Sequence, residues 1–478
     1  PAERPPTTAP LVGRSRELDV LGSIWERATT EHRPHLVTIV GPTGIGKSRV
    51  ASEFLERAAE AGAQHLIGRC LPYGQSSYRA FADQVRSAAG IFESEPPDEA
   101  RRKLLSFLQS LMPGEEAEQT AAHLGALIGL GAEDEAVQEP IQLFFSARRF
   151  VEEFAEERPT VIVFEDIHWA EPAQLDLLEY LSAQVRDRPV LFLALARSEL
   201  LEVRPTWGGG VLGHSTIPLE PLSSGDSKAI ASHLLPEAGD PASVERLVEV
   251  AEGNPLFIEE LAVSLADRGP SEELPTTVRA AIASRIDALP PASRATLLAA
   301  SVIGKQFWRG VLHAIEDLDG TDEALGALET RDLIRRESVS QVQNDAEFSF
   351  KHILIREVAY ATLPRADRRR RHAAVAAFIE DALPESGRNL AWILAHHWRE
   401  AGESGKAVPY LISAAEQADE QLAFHHSLAL YNSALELLPE DDARRRDLTV
   451  RRAIALTRLS HAVYDPGRLR WQRDVEAP

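Results

Sequence analysis

The sequence has one cysteine, one methionine and no long apolar run, and these shortages exclude some classes of protein. Among its 478 residues Cys70 is the only cysteine, so no intrachain disulfide can form, and Met112 is the only methionine. No uninterrupted apolar run is longer than the seven residues of Val190–Ala196, whereas a membrane-spanning helix needs roughly 18 or more. A disulfide-stapled domain and a membrane span are therefore excluded. The lack of a leader predicts a cytoplasmic protein, and the start at Pro1 predicts a piece of a longer chain.

Basic residues are also in short supply. Lysine and arginine total 51 against 73 acidic residues, which gives a formal charge of −22. A protein that binds duplex nucleic acid through its phosphates usually has a basic balance, so no direct nucleic-acid partner is expected. Arg365 and Arg368–Arg371 form the longest basic run. On an acidic background this run predicts a helix face paired with acids, and a nucleic-acid patch is the alternative.

The first half of the chain alternates between short apolar runs and amphipathic helices. This alternation predicts an α/β fold with a doubly wound parallel sheet. The predicted strands are HLVTIV (35–40), HLIGRC (65–70), TVIVFED (160–166), PVLFLALA (189–196) and STIPL (215–219).

Beyond residue 221 the strand signal fades and helices dominate. The alternating segment 341–350 is an exception and is typical of the wing of a winged-helix fold, and the helices after it resemble tetratricopeptide repeats. The predicted divisions are a proline-rich linker (1–10), a nucleotide-binding domain (11–220), a helical lid (221–275), a winged-helix-like domain (276–385) and a tetratricopeptide-like region (386–478).

A glycine-rich turn between the first predicted strand and the following helix fits the P-loop pattern GxxxxGK[ST]. Such a turn points backbone N–H groups inward, and the helix N-terminus adds its positive dipole, so the turn binds phosphates. The lysine reaches the β and γ phosphates, and the hydroxyl is a ligand of Mg²⁺. The predicted cofactors are thus ATP or ADP with Mg²⁺. The eight residues are Gly41, Pro42, Thr43, Gly44, Ile45, Gly46, Lys47 and Ser48.

Two acids end the third predicted strand. A P-loop needs acids, and we expect them on the strand beside it: Glu165 as a metal ligand together with Ser48, and Asp166 to orient the attacking water. A solvated acid pair is the alternative. Arg197 follows the fourth strand and is expected to face the γ phosphate, unless it pairs with a surface acid.

Several motifs together resemble the signal-transducing STAND branch of AAA+ P-loop ATPases. They are LVGRSREL (11–18), GPTGIGKS (41–48), FEDIHWAEP (164–172), LARSEL (195–200) and GNPLFIEEL (253–261). The most similar group is the ATPase modules found beside adenylate cyclase or helix-turn-helix domains in large bacterial regulators. The resemblance implies that Val12, Gly13 and Arg14 close over the adenine and that Pro255 packs from the lid. Gly253-Asn254-Pro255 is equally an ordinary helix start.

The segment 348–357 resembles the winged-helix motif that reads Met-His-Asp in plant relatives, where the histidine touches the β phosphate of ADP. His352 matches that histidine, while Ile353 replaces the aspartate. The alternative is a packed core histidine. Because this segment is far along the chain from the P-loop, we expect only the nucleotide to couple the two.

The resemblance implies a slowly hydrolysing ATPase that switches its domain arrangement between ATP and ADP. A protein or small-molecule signal would act at the repeats, and a fused or partner output domain, a cyclase or a transcription regulator, would respond. Homo-oligomerisation on activation is a family expectation. The alternative is a scaffold that holds nucleotide without hydrolysis. Adjacent histidines at 396–397 and 425–426 lack zinc-ligand spacing and are interpreted as structural.

Overall fold

The computed structural model describes residues 11–72, 76–130, 140–235, 241–268, 275–315, 320–337, 340, 345–382 and 390–461. The predicted linker 1–10 and residues 341–344 of the predicted wing lie outside these ranges. Within them, no helix is long and apolar enough to cross a membrane.

The first unit is built on a five-stranded parallel sheet in the order β2-β3-β4-β1-β5. Its strands are β1 (His35–Val40), β2 (Gln64–Arg69), β3 (Thr160–Glu165), β4 (Val190–Ala196) and β5 (His214–Pro218). The predicted doubly wound sheet is confirmed. The expectation that the acids lie on the strand beside the P-loop strand is wrong, because β4 pairs with both β1 and β3 and so separates them.

Helices cover both faces of this sheet, and alternate residues of each strand enter two separate cores. Val161 and Val163 of β3 face one core, while Ile162 and Phe164 face the other, as the two-residue period of a strand requires. The helices are α1 (Ser15–Thr30), α2 (Lys47–Glu60), α3 (Arg79–Ala89), α4 (Pro97–Leu111), α5 (Gly114–Leu127), α6 (Pro140–Phe154), α7 (Pro172–Gln184) and α8 (Glu199–Val203).

The next three helices form a small unit with its own apolar core, which we call the lid. They are α9 (Ser224–Leu234), α10 (Pro241–Ala251) and α11 (Pro255–Arg268). Ser223 caps α9 by accepting a hydrogen bond from the Asp226 amide at 3.1 Å, which satisfies an amide that the helix itself leaves unpaired.

A third unit combines six helices with a three-stranded antiparallel sheet in the order β6-β8-β7. The predicted wing contributes the central strand, since β8 covers Glu347–Phe350. Phe307, Phe348 and Phe350 fill the core beneath this sheet. The elements are α12 (Val278–Asp287), α13 (Pro291–Ile303), β6 (Gln306–Trp308), α14 (Arg309–Ile315), α15 (Thr321–Thr330), β7 (Ile334–Arg336), β8 (Glu347–Phe350), α16 (Ile353–Thr362) and α17 (Arg365–Ala382).

Four further helices form the repeat region, in which each helix packs against the next. They are α18 (Ala391–Ala401), α19 (Ser404–Glu420), α20 (Phe424–Leu437) and α21 (Arg444–His461). This region also packs on the first unit. Leu422 and Ala423 join the core formed by the sheet and α3–α7, the Gln421 amide donates to the carbonyl of Leu127 at 3.0 Å, and Ser77 hydrogen-bonds His426 at 2.9 Å.

Three histidines meet where α17 packs against α18. Nδ1 of His372 lies 2.8 Å from Nδ1 of His397, and Nε2 of His372 lies 2.9 Å from the Tyr360 hydroxyl. Burial lowers the pKa of His372 to about 4 and that of His396 to about 3, and it lowers the pKa of His397 well below its ordinary value. The cluster is therefore neutral at pH 7. In the described ranges, no group of three His, Cys, Asp or Glu residues could hold a metal ion.

The basic run lies on α17, as predicted, and part of it serves the fold. Arg368 donates to the carbonyls of Leu363 and Ala361 at 2.9 and 2.8 Å, which closes the end of α16. Arg370 lies 3.9 Å from Asp367 on the same helix, and Arg371 is buried.

Candidate nucleotide site

The P-loop joins the end of β1 to the start of α2. The Gly41 amide donates to the carbonyl of Ala196 at 3.2 Å, which ties the loop to β4. Gly44 and Gly46 have φ angles of +82° and +103°, a region that glycine enters without steric cost. The loop therefore leads into the N-terminus of α2, where free amides and the helix dipole attract anions.

Lys47, the first residue of α2, folds back over the loop. Its ammonium donates to the carbonyls of Gly41 and Pro42 at 2.7 and 3.0 Å, and the residue is 9% exposed. Burial lowers its pKa to about 8, against the opposing charge of Asp166, and Arg197 adds to the lowering. Ser48 is exposed beside it. The charges of Lys47 and Arg197 and the N-terminus of α2 fit the phosphates of a nucleotide. The hydroxyl of Ser48 fits the metal.

The two acids at the end of β3, Glu165 in the strand and Asp166 directly after it, have different partners. Asp166 stands in the left-handed region (φ 57°), and its Oδ2 lies 3.3 Å from the ammonium of Lys305 in the third unit. Burial alone would raise the pKa of Asp166, but Lys305 and Lys47 outweigh it and hold this pKa below the ordinary value. Glu165 instead receives a 2.6 Å hydrogen bond from Nε of Arg69. Asp166 is therefore the acid whose charge acts on the P-loop lysine.

His352 reaches this site from the third unit. Its Nδ1 accepts a hydrogen bond from the amide of Leu354 at 3.2 Å and caps α16. Burial, with the charges of Lys305 and Lys47 acting in the same direction and that of Asp166 opposing them, lowers its pKa to about 3. The ring is therefore neutral at pH 7. Coupling only through nucleotide, expected from the sequence, is wrong, because Lys305 contacts Asp166 directly.

The lid holds the P-loop by hydrogen bonds to two backbone carbonyls of the loop. The Asn254 side chain donates to the carbonyl of Thr43 at 3.1 Å, and the Leu256 amide bonds the carbonyl of Gly44 at 3.3 Å. Pro255, between them, is the first residue of α11. Asn254 also accepts from the Phe257 amide at 3.3 Å, so its roles as a helix cap and as a lid contact coexist.

The segment before α1 also reaches the loop. Arg14 is 4% exposed and donates to the carbonyls of Ile45 and Glu220 at 3.1 and 2.8 Å. Val12 packs against the core of the lid, and Gly13 lies against Asp226. These residues join the lid to the P-loop, and their contact with adenine stays a prediction.

Arg197 and His168 share one aromatic neighbour. The Arg197 guanidinium lies 5.1 Å from the centroid of the Trp169 ring, and the His168 ring lies 4.4 Å from it. Both nitrogens of His168 are buried without a hydrogen-bond partner among the described residues. Burial lowers the pKa of His168 to about 4, against the charge of Asp166. Sequence reasoning did not single out His168, although its motif, FEDIHWAEP, was recognised.

Residues 10–193 match the family model described as the AAA ATPase domain, so this region is similar to that domain. The AAA+ P-loop ATPase predicted from the motifs is thus confirmed over the part of the chain that carries the P-loop and both acids.

Among proteins similar to this chain is an uncharacterised protein of Rhizobium meliloti (strain 1021), 25% identical over 455 residues. The match covers 90% of this chain and 43% of that protein, so the chain spans less than half of its relative. A STAND protein with a tetratricopeptide repeat sensor from Pyrococcus horikoshii is 14% identical, with a TM-score of 0.47 over 98% of this chain and 74% of that one. Orc1 of Aeropyrum pernix, solved in complex with DNA, is 14% identical, with a TM-score of 0.38 over 74% and 94%.

Proposed function

We propose that this protein is a STAND-type regulatory ATPase, which binds ATP with Mg²⁺, hydrolyses it slowly and changes its domain arrangement with the nucleotide state. The contact that carries this proposal is the 3.3 Å pair between Asp166 and Lys305. It joins an acid at the nucleotide site to a unit that follows the AAA ATPase domain in sequence. A plain nucleotide-binding domain has no need for such a contact.

In this proposal the P-loop amides and Lys47 bind the phosphates, while Ser48 and Asp166 hold the metal. We assign the metal to Asp166 rather than to Glu165, because the Glu165 carboxylate is committed to Arg69 at 2.6 Å. Mg²⁺ bound there would neutralise charge that develops on the transferred phosphoryl group. Asp166 is also the acid placed to orient the attacking water.

Arg197 would face the terminal phosphate from β4, the strand that pairs directly with β1. His352 would contact the β phosphate of ADP from the third unit. The lid, bonded to the P-loop carbonyls of Thr43 and Gly44, would move with that loop. The switch would thus join three units around one nucleotide.

The partners follow from the same scheme. A protein or small-molecule signal would act at the repeat region, and a fused or partner output domain, a cyclase or a transcription regulator, would receive the change. Homo-oligomerisation would accompany activation. Because this chain has a net charge of −22, it would be repelled by nucleic-acid phosphates. The output would therefore not depend on direct nucleic-acid binding by this chain.

The rival is a scaffold that holds nucleotide only to keep its units together. The test is phosphate release from ATP by the purified chain, with Mg²⁺ and with EDTA in its place, beside a direct measurement of nucleotide binding. Slow release that requires Mg²⁺ supports the switch. Tight nucleotide binding with no release under either condition would establish the scaffold instead.

A further inference from the structure

Both acids at the end of β3 are connected to the third unit. Lys305 pairs with Asp166 at 3.3 Å. Glu165 pairs with Arg69, and Arg69 lies 3.9 Å from Glu337, the residue after β7. The third unit therefore touches one acid directly and the other through an arginine. Neither contact involves nucleotide.

The position of Lys305 is set by the sheet of the third unit. It directly precedes β6, and its carbonyl accepts a 2.9 Å hydrogen bond from the Phe350 amide of β8. Its side chain is 19% exposed, and that of Asp166 is 23% exposed. Because the backbone of Lys305 is bonded into this sheet, a movement of the third unit carries its ammonium towards or away from Asp166.

Asp166 also interacts with the charge of Lys47, which belongs to the first unit. Lys47 is the first residue of α2, so it stays with the sheet when the third unit moves. Several described residues shift the pKa of Asp166, and of these only Lys305 belongs to the third unit. Only a contact that differs between two arrangements can shift their populations.

A divalent cation and the Lys305 ammonium compete for the same carboxylate. If Asp166 holds Mg²⁺, an ammonium at the present distance would lie beside a like charge in a partly buried site, where charge interactions are stronger than in water. We propose that Lys305 is the residue through which the third unit distinguishes nucleotide states. It pairs with Asp166 when no metal is bound, and it must withdraw before Asp166 can hold the metal of a Mg²⁺–triphosphate. This inference rests on the proposed function.

Lys305→Met tests the competition, because methionine keeps most of the side-chain volume and removes the charge. Isothermal titration would measure the affinity for a non-hydrolysable ATP analogue at a series of Mg²⁺ concentrations, and for ADP in EDTA. We expect the Mg²⁺ concentration needed for half-maximal analogue binding to fall at least about fivefold, within the usual range of coupling between sites. ADP affinity in EDTA should not tighten. Lys305→Arg keeps the charge and should keep the Mg²⁺ dependence of the parent.

Lys351→Met is the matched control. Lys351 also joins two units, since it pairs with Glu259 of the lid and with Asp332 of the third unit, but it does not contact Asp166. It should keep the Mg²⁺ dependence of the parent. An unchanged Mg²⁺ dependence in Lys305→Met, or the same shift in both variants, would overturn the inference. If Lys305→Met does not fold, Lys305→Gln replaces it. A parent that binds no nucleotide would instead overturn the proposed function.

Discussion

The histidine cluster between α17 and α18 should make the fold sensitive to mild acid. An unfolded histidine binds a proton below its ordinary pKa of about 6.5, whereas His372 in the fold does so only near pH 4 and His396 near pH 3. Between these values the unfolded state binds more protons than the folded state. Stability is therefore lost as the pH falls from 6.5 towards 4.

The size of the loss follows from these values. Between pH 7.5 and 5.5 an unfolded histidine becomes about nine-tenths protonated, which favours unfolding by roughly 1 kcal/mol for each ring that stays neutral in the fold. For His372, His396 and His397 together, the free energy of unfolding should fall by roughly 3 to 4 kcal/mol. That is a large part of the 5–15 kcal/mol typical of a folded protein.

Urea-induced unfolding at pH 7.5 and 5.5 measures this loss. His396→Leu removes one of the three rings, so its free energy of unfolding should fall by roughly 1 kcal/mol less than that of the parent over the same interval. His425, exposed on α20, supplies the control, and His425→Leu should follow the parent. If the free energy of unfolding falls by the same amount in the parent and in His396→Leu, the buried rings do not determine the acid response and the reasoning fails.

Three further predictions concern the nucleotide site. Lys47→Ala should weaken ATP binding tenfold or more by isothermal titration, since a hydrogen bond to a charged group contributes about 1.5–3 kcal/mol; near-parental affinity would remove the P-loop assignment. Asp166→Asn should slow phosphate release at least tenfold, while Glu165→Gln should slow it far less because Glu165 is held by Arg69. The reverse order would restore Glu165 as the metal ligand. His352→Ala should weaken ADP about tenfold and ATP much less; equal changes for both nucleotides in a folded variant would make His352 a core residue.

The phosphate-binding part of the site could be predicted from the sequence because its chemistry is local. Eight consecutive residues contain the glycine turn, the lysine and the hydroxyl, and the flanking strand and helix have clear periodic patterns. The five strands were placed within about a residue of their ends for the same reason. The spatial order of the strands could not be predicted in this way. Nothing in the sequences of β1 and β3 indicates that β4 lies between them.

The contacts between units could not be predicted. Lys305 and Asp166 are 139 positions apart, and a single lysine before a short strand has no recognisable pattern. The same holds for the pair of Arg69 and Glu337. Asn254 was interpreted as a helix cap, which it is, but its second bond, to the P-loop, depends on how the lid packs. Such contacts are determined by how one unit packs on another, and short sequence motifs contain no information about that packing.

The turn between α19 and α20 has a consequence for how the ATPase and repeat regions can evolve. Leu422 and Ala423 complete the apolar core of the ATPase sheet, so this core is shared between two regions that the sequence presents as separate modules. An ATPase domain cut free of the repeats would expose part of its own interior to water, at a cost that grows with the apolar area uncovered. A repeat region borrowed from another protein would have to present apolar side chains of the same size and shape at that turn. The ATPase and the first repeats are therefore expected to diverge together, as one lineage, and the freely exchangeable part of the array begins only beyond α20.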